Sequence, residues 1–238
     1  ELEAQVSSLI ATETGVDSRA VAFVCRDSSQ PPSSGRLPVS VPCIAMVTAG
    51  AILQTVARGA NEVTLVPCRD ECPMGLDETI RGRVDYCREL LRLLGGPTES
   101  ERVGLLDPLG APGSGPGPGS SSLAGEPPKG SISLFGRGVA AEAVLKLAAR
   151  HGAADLALEH PYSPLGIVRI DGQACTGCGT CANECPTQAL SQESREDDVI
   201  VSFDASLCTA CGLCELVCPE RAAGAIAVSH TTDLGHLS

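Results

Sequence analysis

Eight of the thirteen cysteines in this chain fall into two copies of one spacing, C-x2-C-x2-C-x3-C-P. The first copy contains Cys175, Cys178, Cys181 and Cys185, and the second contains Cys208, Cys211, Cys214 and Cys218. Equivalent cysteines are separated by 33 residues, and the surrounding segments Ile170 to Leu190 and Phe203 to Ile226 match each other. Such a doubled motif predicts a small domain with internal pseudo-two-fold symmetry.

The spacing within each copy indicates iron–sulfur chemistry. Three closely spaced thiolates can hold three corners of a cubane, and in two-cluster ferredoxins the fourth cysteine ligates the other cluster. This crossed arrangement assigns one [4Fe–4S] cluster to Cys175, Cys178, Cys181 and Cys218. It assigns the second [4Fe–4S] cluster to Cys208, Cys211, Cys214 and Cys185. Gly179 and Gly212 occupy the same place in each copy and allow the loop to turn closely around the sulfurs.

Over roughly its last 75 residues the chain resembles the bacterial two-cluster ferredoxin family. The resemblance implies an α+β fold in which the apolar runs Ile167 to Ile170 and Val199 to Phe203 form short flanking strands. Zinc is one alternative, although structural zinc sites usually pair C-x2-C units from separate knuckles. A purely structural cluster is another alternative. Two adjacent clusters favour a role in electron transfer.

The N-terminal part alternates apolar runs with helical patterns, which predicts a small α/β domain. Nearly continuous apolar runs are typical of a parallel sheet covered on both faces. The predicted strands are Ala20 to Cys25, Pro38 to Ile44, Glu62 to Cys68 and Arg102 to Leu106. The predicted helices are Thr48 to Ala60, Asp77 to Leu94 and Gly138 to Arg150, with a further candidate at Glu1 to Thr14.

A Gly/Pro/Ser-rich stretch at residues 107–130 predicts a flexible insertion in this α/β domain. We therefore expect an α/β domain over residues 1–152 and the two-cluster ferredoxin-like domain over residues 153–238.

Four further cysteines, Cys25, Cys43, Cys68 and Cys72, lie at or just beyond the ends of predicted strands. Ligands bind at the carboxyl edge of open α/β sheets, so these thiols are candidates for one site. Four thiolates suit a [2Fe–2S] cluster, a [4Fe–4S] cluster or zinc. The alternatives are free buried thiols, or a redox-active dithiol at Cys68 and Cys72. Cys87 falls on the apolar stripe of a predicted helix and is assigned to packing.

From Val21 to Leu106 the chain resembles the delta subunit of methyl-viologen-reducing hydrogenase, an iron–sulfur family associated with flavin-based heterodisulfide reductases. The segments that carry the resemblance are FVCRDSS, VPCIAMVTAGAIL, GANEVTLVPCRDEC and RVDYCRELLRLLG. The resemblance implies a [2Fe–2S] cluster held by Cys25, Cys43, Cys68 and Cys72. Ser28 stands where the family has a further cysteine, and Pro67 replaces the glycine expected before Cys68.

Composition limits the classes of partner. The net charge of −12 argues against nucleic acid or an anionic membrane, and suits docking to a basic protein surface. No apolar run approaches the length of a membrane span, and no signal peptide opens the sequence. An odd number of cysteines at metal-binding spacings favours a reducing, cytoplasmic compartment.

These observations predict an electron-transfer subunit of a larger soluble oxidoreductase, with two [4Fe–4S] clusters and one [2Fe–2S] cluster. The resemblance implies a heterodisulfide-reductase-like flavoprotein and a hydrogenase or dehydrogenase as partners. No catalytic residue or substrate site of its own is evident. The alternatives are a free ferredoxin-like carrier with an inert N-terminal domain, or a subunit that handles sulfur or thiols through Cys68 and Cys72.

Overall fold

The computed structural model describes residues 19–28, 36–68, 74–106, 136, 138–195 and 198–237. Within these residues the N-terminal part contains a four-stranded parallel sheet in the order β2-β1-β3-β4. Its strands are β1 (Ala20–Cys25), β2 (Arg36–Val41), β3 (Glu62–Val66) and β4 (Val103–Leu105). The chain crosses from one side of β1 to the other between β2 and β3, which makes the carboxyl ends of β1 and β3 the topological switch point.

Among the described residues, this sheet is accompanied by four helices: α1 (Ala49–Ala57), α2 (Asp77–Gly95), the short α3 (Pro97–Ser100) and α4 (Val139–His151). Every residue of α1 is buried, and its first turn is capped by Thr48, whose hydroxyl accepts a hydrogen bond of 3.1 Å from Ala51 N. Gly50 allows α1 to approach α4 closely, since a Cβ there would lie 3.1 Å from Ala140 Cβ. None of the described helices is long and apolar enough to cross a membrane.

The strand boundaries agree with the sequence pattern at β1 and differ at β2, while β3 and β4 are shorter than the predicted Glu62 to Cys68 and Arg102 to Leu106. The predicted second strand, Pro38 to Ile44, is instead Arg36–Val41, because the chain bends at Pro42 and continues into a 3-10 turn at Ile44–Met46. The helix predicted at Thr48 to Ala60 ends at Ala57 instead of Ala60. The predicted helix at Glu1 to Thr14 and the insertion at residues 107–130 lie outside the described residues.

The C-terminal part is built from short antiparallel strand pairs. β6 (Ile167–Ile170) pairs with β9 (Ile226–Ser229), and β7 (Leu190–Arg195) pairs with β8 (Asp198–Phe203). Two single-turn helices, α5 (Thr180–Asn183) and α6 (Leu213–Leu216), each contain the third cysteine of one motif. A third strand pair, β5 (Ala157–Glu159) with β10 (Thr231–Asp233), precedes the last turn of helix, α7 (Leu234–Leu237).

The main hydrophobic core continues beyond the predicted domain boundary at residue 152. Leu158, Leu165 and Leu234 are buried in the same core as the sheet and its helices. A second, smaller core around Leu190 and Ile226 lies between the cysteine loops. The segments around β5 and β10 therefore attach the cysteine-rich part to the α/β part, while the division into two domains stays a prediction.

Candidate metal centres

The first candidate centre is a cavity in the C-terminal part. It is lined by three cysteines of the first loop, Cys175, Cys178 and Cys181, and by Cys218 from the end of the second motif. The apolar side chains Ile170, Val201 and Ile226 complete its wall. These are the four thiols that the crossed arrangement groups together.

The second candidate centre is a separate cavity of matching construction. Its cysteines are Cys208, Cys211, Cys214 and Cys185. Val168, Leu190 and Val228 line it, and of these Val168 and Leu190 are the counterparts of Val201 and Ile226 at the first cavity. The structure therefore gives each loop of three cysteines a fourth cysteine from the opposite copy of the motif.

Local backbone geometry explains how each loop surrounds its cavity. Gly177, Gly179 and Gly212 have φ values of 67°, 77° and 70°, a left-handed conformation that glycine adopts without strain. Ala210, the counterpart of Gly177, has φ 54° despite its Cβ. The short helices α5 and α6 begin directly after Gly179 and Gly212.

Hydroxyl groups contact one thiol of each candidate centre. Thr180 Oγ1 lies 3.4 Å from Cys178 Sγ at the first cavity, and Thr187 Oγ1 lies 3.6 Å from Cys185 Sγ at the second. Both threonines follow a motif cysteine by two residues. A hydroxyl in that position can donate to a thiolate, and hydrogen bonds to ligand sulfur are one of the factors that set cluster potentials.

The first loop is also held from outside by a neighbouring strand. Gln192 of β7 donates its side-chain amide to Gly177 O at 2.9 Å. The spacing of the cysteines does not reveal Gln192, because this contact arises from the fold of the β7–β8 hairpin. Gln192, Thr180 and Thr187 are the site residues that the sequence analysis missed.

The thiols differ in how readily they ionise. Burial raises the pKa of Cys214 to about 11 and also raises the pKa values of Cys181 and Cys208. The hydrogen bond from Thr180 lowers the pKa of the exposed Cys178. Burial is the largest single influence on Cys185 and alone would raise its pKa. Hydrogen bonds from Leu190, Thr187 and Ala189 together outweigh burial, so the pKa of Cys185 lies below its ordinary value. Since iron binds thiolates, loading these sites releases protons.

The donor set fits an iron–sulfur cluster in each cavity. Thiolate is the ligand type that selects such clusters, and four thiols stand around each apolar cavity. Among the described residues, no three Cys, His, Asp or Glu side chains converge closely enough to hold a single metal ion.

Comparison with protein families agrees with this geometry. Residues 174–222, which span both motifs, match the family model of the 4Fe-4S dicluster domain. This part of the chain is therefore ferredoxin-like and binds 4Fe–4S clusters, which indicates a role in iron–sulfur electron transfer. No curated protein sequence matches the chain.

Three of the four N-terminal candidate cysteines lie within the described residues. Cys25 ends β1, Cys43 directly precedes the 3-10 turn, and Cys68 follows β3 by two residues, so all three lie at the carboxyl edge of the sheet. Cys25 is buried, whereas Cys43 and Cys68 are half-buried. Cys72 lies outside the described residues. The remaining thiol, Cys87, is fully buried in the main core with its Sγ 3.7 Å from Ala49 O, as a packing role requires.

Proposed function

We propose that the chain is the electron-transfer subunit of a larger oxidoreductase and carries two [4Fe–4S] clusters. The observation that carries this proposal is the pair of cavities, each bordered by four cysteines in the crossed arrangement. We assign Cys175, Cys178, Cys181 and Cys218 to the first cluster, and Cys208, Cys211, Cys214 and Cys185 to the second. The match to the 4Fe-4S dicluster domain supports this assignment.

A bound [4Fe–4S] cluster supplies reversible one-electron oxidation and reduction. The residues of this chain hold the clusters, limit access of water and adjust the charge balance. Apolar walls such as Val201 and Ile226 reduce solvation of the thiolates. The hydroxyl of Thr180 and the backbone of the glycine-containing loop favour the more negatively charged, reduced state.

We further propose a [2Fe–2S] cluster held by Cys25, Cys43, Cys68 and Cys72. The support is topological: Cys25 ends β1 and Cys68 follows β3, the two strands at the switch point, and Cys43 follows the neighbouring strand β2. Electrons would then pass between the N-terminal centre and the two cubanes. The family resemblance of this region suggests a heterodisulfide-reductase-like flavoprotein and a hydrogenase or dehydrogenase as the partners.

Anaerobic iron and sulfide quantitation, combined with EPR of the reduced protein, tests both parts of the proposal. Two cubanes and a [2Fe–2S] centre require about ten irons per chain, and two cubanes alone require about eight. Cys68→Ser is the discriminating variant, because it should remove about two irons and leave the cubane signals unchanged. An iron content near zero, or a single zinc at either ferredoxin motif, would contradict electron transfer by this chain.

A further inference from the structure

The two copies of the cysteine motif are not equally enclosed by the rest of the chain. At the offset of 33 residues that relates the cysteines, Ile167 in β6 corresponds to Ile200 in β8. Ile167 is 6% exposed, whereas Ile200 is 40% exposed. Cys208, which begins the second loop (residues 208–214), is buried, whereas its counterpart Cys175 is half-buried. The second cavity is therefore the more enclosed of the two, and the residues that enclose it are candidates for adjusting the cluster there.

Both copies have a contact between strand and loop, but the larger side chain lies on opposite partners. Gly166, which directly precedes β6, lies against Ala210 of the second loop, since a Cβ on Gly166 would lie 2.8 Å from Ala210 Cβ. The corresponding residues at the first cavity are Val199 and Gly177, and a Cβ on Gly177 would lie 3.4 Å from the Val199 side chain. Because Gly166 has no side chain, its backbone can lie directly against the second loop.

The backbone of Gly166 is also a hydrogen-bond donor to a ligand sulfur. Burial raises the pKa of the Cys208 thiol, and the backbone N–H groups of Ala210 and Gly166 act against that rise as donors. A donor that favours a thiolate also favours the more negatively charged, reduced state of a cluster bound to that thiolate. The N–H of Gly166 therefore belongs to the surroundings that determine the reduction potential of the second cluster.

Ser163 holds the peptide group that carries this N–H. The N–H of Gly166 and the carbonyl of Leu165 belong to the same peptide. Ser163 Oγ donates to Leu165 O at 3.0 Å and accepts from Leu165 N at 3.3 Å. Ser163 and Leu165 are each 3% exposed, so water does not compete for these bonds. Hydrogen bonds in a chain polarise one another, so the bond accepted by Leu165 O makes the N–H of Gly166 a stronger donor.

Two further hydroxyl groups orient Ser163. Tyr86 Oη lies 2.6 Å from Thr232 Oγ1, and Thr232 Oγ1 lies 2.9 Å from Ser163 Oγ. Each hydroxyl has one proton, and Ser163 directs its proton to Leu165 O, so Thr232 donates to Ser163. Tyr86 in turn donates to Thr232, and both residues are fully buried. This buried network therefore runs from α2 to the peptide beside the second cavity.

We propose that Ser163 is a positioning residue for the second cluster, because it orients and polarises the peptide whose N–H stabilises the reduced state at Cys208. Thr232 and Tyr86 act one and two steps further back, by directing the proton of Ser163 to the carbonyl of Leu165. The network thereby raises the reduction potential of the second cluster. This inference rests on the proposed electron-transfer function.

The effect is specific to the second cluster. At the first cavity the counterpart of Gly166 is Val199, which is 47% exposed and pairs with Ser194 in the β7–β8 ladder. The N–H of Val199 therefore belongs to an open hairpin, whereas the N–H of Gly166 belongs to a peptide held by buried hydroxyl groups. A change in the network should consequently alter the potential of one cluster and leave the potential of the other unchanged.

A redox titration followed by EPR tests this inference on the full, cluster-loaded chain. Reduction adds one electron to each [4Fe–4S] cluster, so each cubane gives one titration wave. Ser163→Ala should raise the ratio of oxidised to reduced second cluster at least threefold at a fixed potential, which corresponds to about 28 mV for a one-electron couple. Thr180→Val removes the hydroxyl beside Cys178 and should shift the other wave. The proposal would be overturned if Ser163→Ala moved neither wave, moved both equally, or moved the same wave as Thr180→Val.

The network also predicts a graded response with a rescue. Thr232→Val removes the hydroxyl that orients Ser163 and should shift the second wave in the same direction as Ser163→Ala, but less. Thr232→Ser keeps the hydroxyl and should restore the wild-type potential, which a purely structural effect at this buried position would not do. If Ser163→Ala loses its clusters, this pair of variants provides the same test.

Thr231→Val is the matched control for Thr232→Val. It removes the hydroxyl of the preceding residue in β10, whose Oγ1 lies 2.8 Å from Ser229 Oγ, and should leave both potentials unchanged. A shift for Thr231→Val as large as that for Thr232→Val would mean that any lost hydroxyl in β10 moves the potential, and would overturn the role of the network.

Failure of this inference is separable from failure of the proposed function. A chain that binds no iron, or whose clusters accept no electron, would refute electron transfer and this inference with it. Two reducible cubanes whose potentials are unchanged by Ser163→Ala and Thr232→Val would refute the role of Ser163 alone and leave the electron-transfer function intact.

Discussion

Tyr86 and Thr232 are 146 residues apart in sequence and share a buried hydrogen bond of 2.6 Å between their hydroxyl oxygens. Thr232 Oγ1 also lies 2.9 Å from Ser163 Oγ, and that hydroxyl donates to Leu165 O at 3.0 Å. Each hydroxyl has one proton, so this chain orients the donors from Tyr86 to Thr232 to Ser163. The network joins α2 to β10 and to the segment that precedes β6, and thereby fixes the cysteine-rich part against the main core.

Tyr86→Phe should lower the free energy of unfolding by about 1 kcal/mol, because one buried hydrogen bond is lost while Thr232 keeps Ser163 as its acceptor. The denaturant midpoint under anaerobic conditions measures this change. Tyr162→Phe is the matched control, since it removes the hydroxyl of the other, half-buried tyrosine. If Tyr86→Phe lowers the free energy of unfolding no more than Tyr162→Phe does, this result would contradict a stabilising role for the network.

Alkaline pH should destabilise the protein through Tyr86. Burial raises the pKa of Tyr86 well above its ordinary value, so the folded state keeps the phenolic proton after the unfolded chain has released it. The stability from this residue is complete below about pH 10, the pKa of an unfolded tyrosine, and is lost as the pH rises further. Tyrosinate absorbance, taken as the difference between wild type and Tyr86→Phe, should appear together with loss of the circular dichroism signal. Ionisation of Tyr86 in a fully folded protein would contradict this expectation.

Gly82→Ala should destabilise the protein even though alanine is the better helix former. A Cβ at Gly82 in α2 would overlap the ring of Tyr162, and overpacking of this kind costs about 1–3 kcal/mol. The gain in helix propensity is only about 1 kcal/mol. In a Tyr162→Ala background the clash is absent, so the same substitution should be neutral or stabilising. A double-mutant cycle of denaturant midpoints measures the coupling, and purely additive effects would disprove it.

A local sequence pattern predicts structure well where it determines that structure directly. Regular cysteine spacing with two prolines anticipated which four thiols share each cavity, and a continuous apolar run anticipated β1. The spacing could not anticipate the burial difference between Ile167 and Ile200, because their local sequences are nearly the same. That difference arises from tertiary packing, which local sequence does not encode.

The N-terminal cysteines show a different limit. Parallel strands predict that residues following them meet at one edge, and Cys25, Cys43 and Cys68 do lie there. Periodicity carries no information on how the connecting loops direct each thiol beyond the strand ends. At β2 this limit is visible, since the bend at Pro42 moves Cys43 out of the strand in which the apolar pattern had placed it.

Gln192 should help the protein retain the first cluster in preference to the second. Its amide donates to Gly177 O at 2.9 Å and holds the first cysteine loop against β7. When the two halves are aligned through Leu190 and Ile226, the counterpart of Gln192 is Val228, which has no side-chain donor. Ala210 of the second loop instead packs closely against Gly166, since a Cβ on Gly166 would lie 2.8 Å from Ala210 Cβ.

Gln192→Val should therefore weaken retention of the first cluster about fivefold against an iron chelator, which corresponds to the loss of one hydrogen bond of about 1 kcal/mol. EPR of the partly depleted protein should show that the first cluster is lost before the second. Gln173→Val, which removes an exposed amide near the same loop, is the matched control and should retain both clusters. Equal loss of the two clusters in Gln192→Val would mean that the hydrogen bond supports the whole fold rather than the first loop.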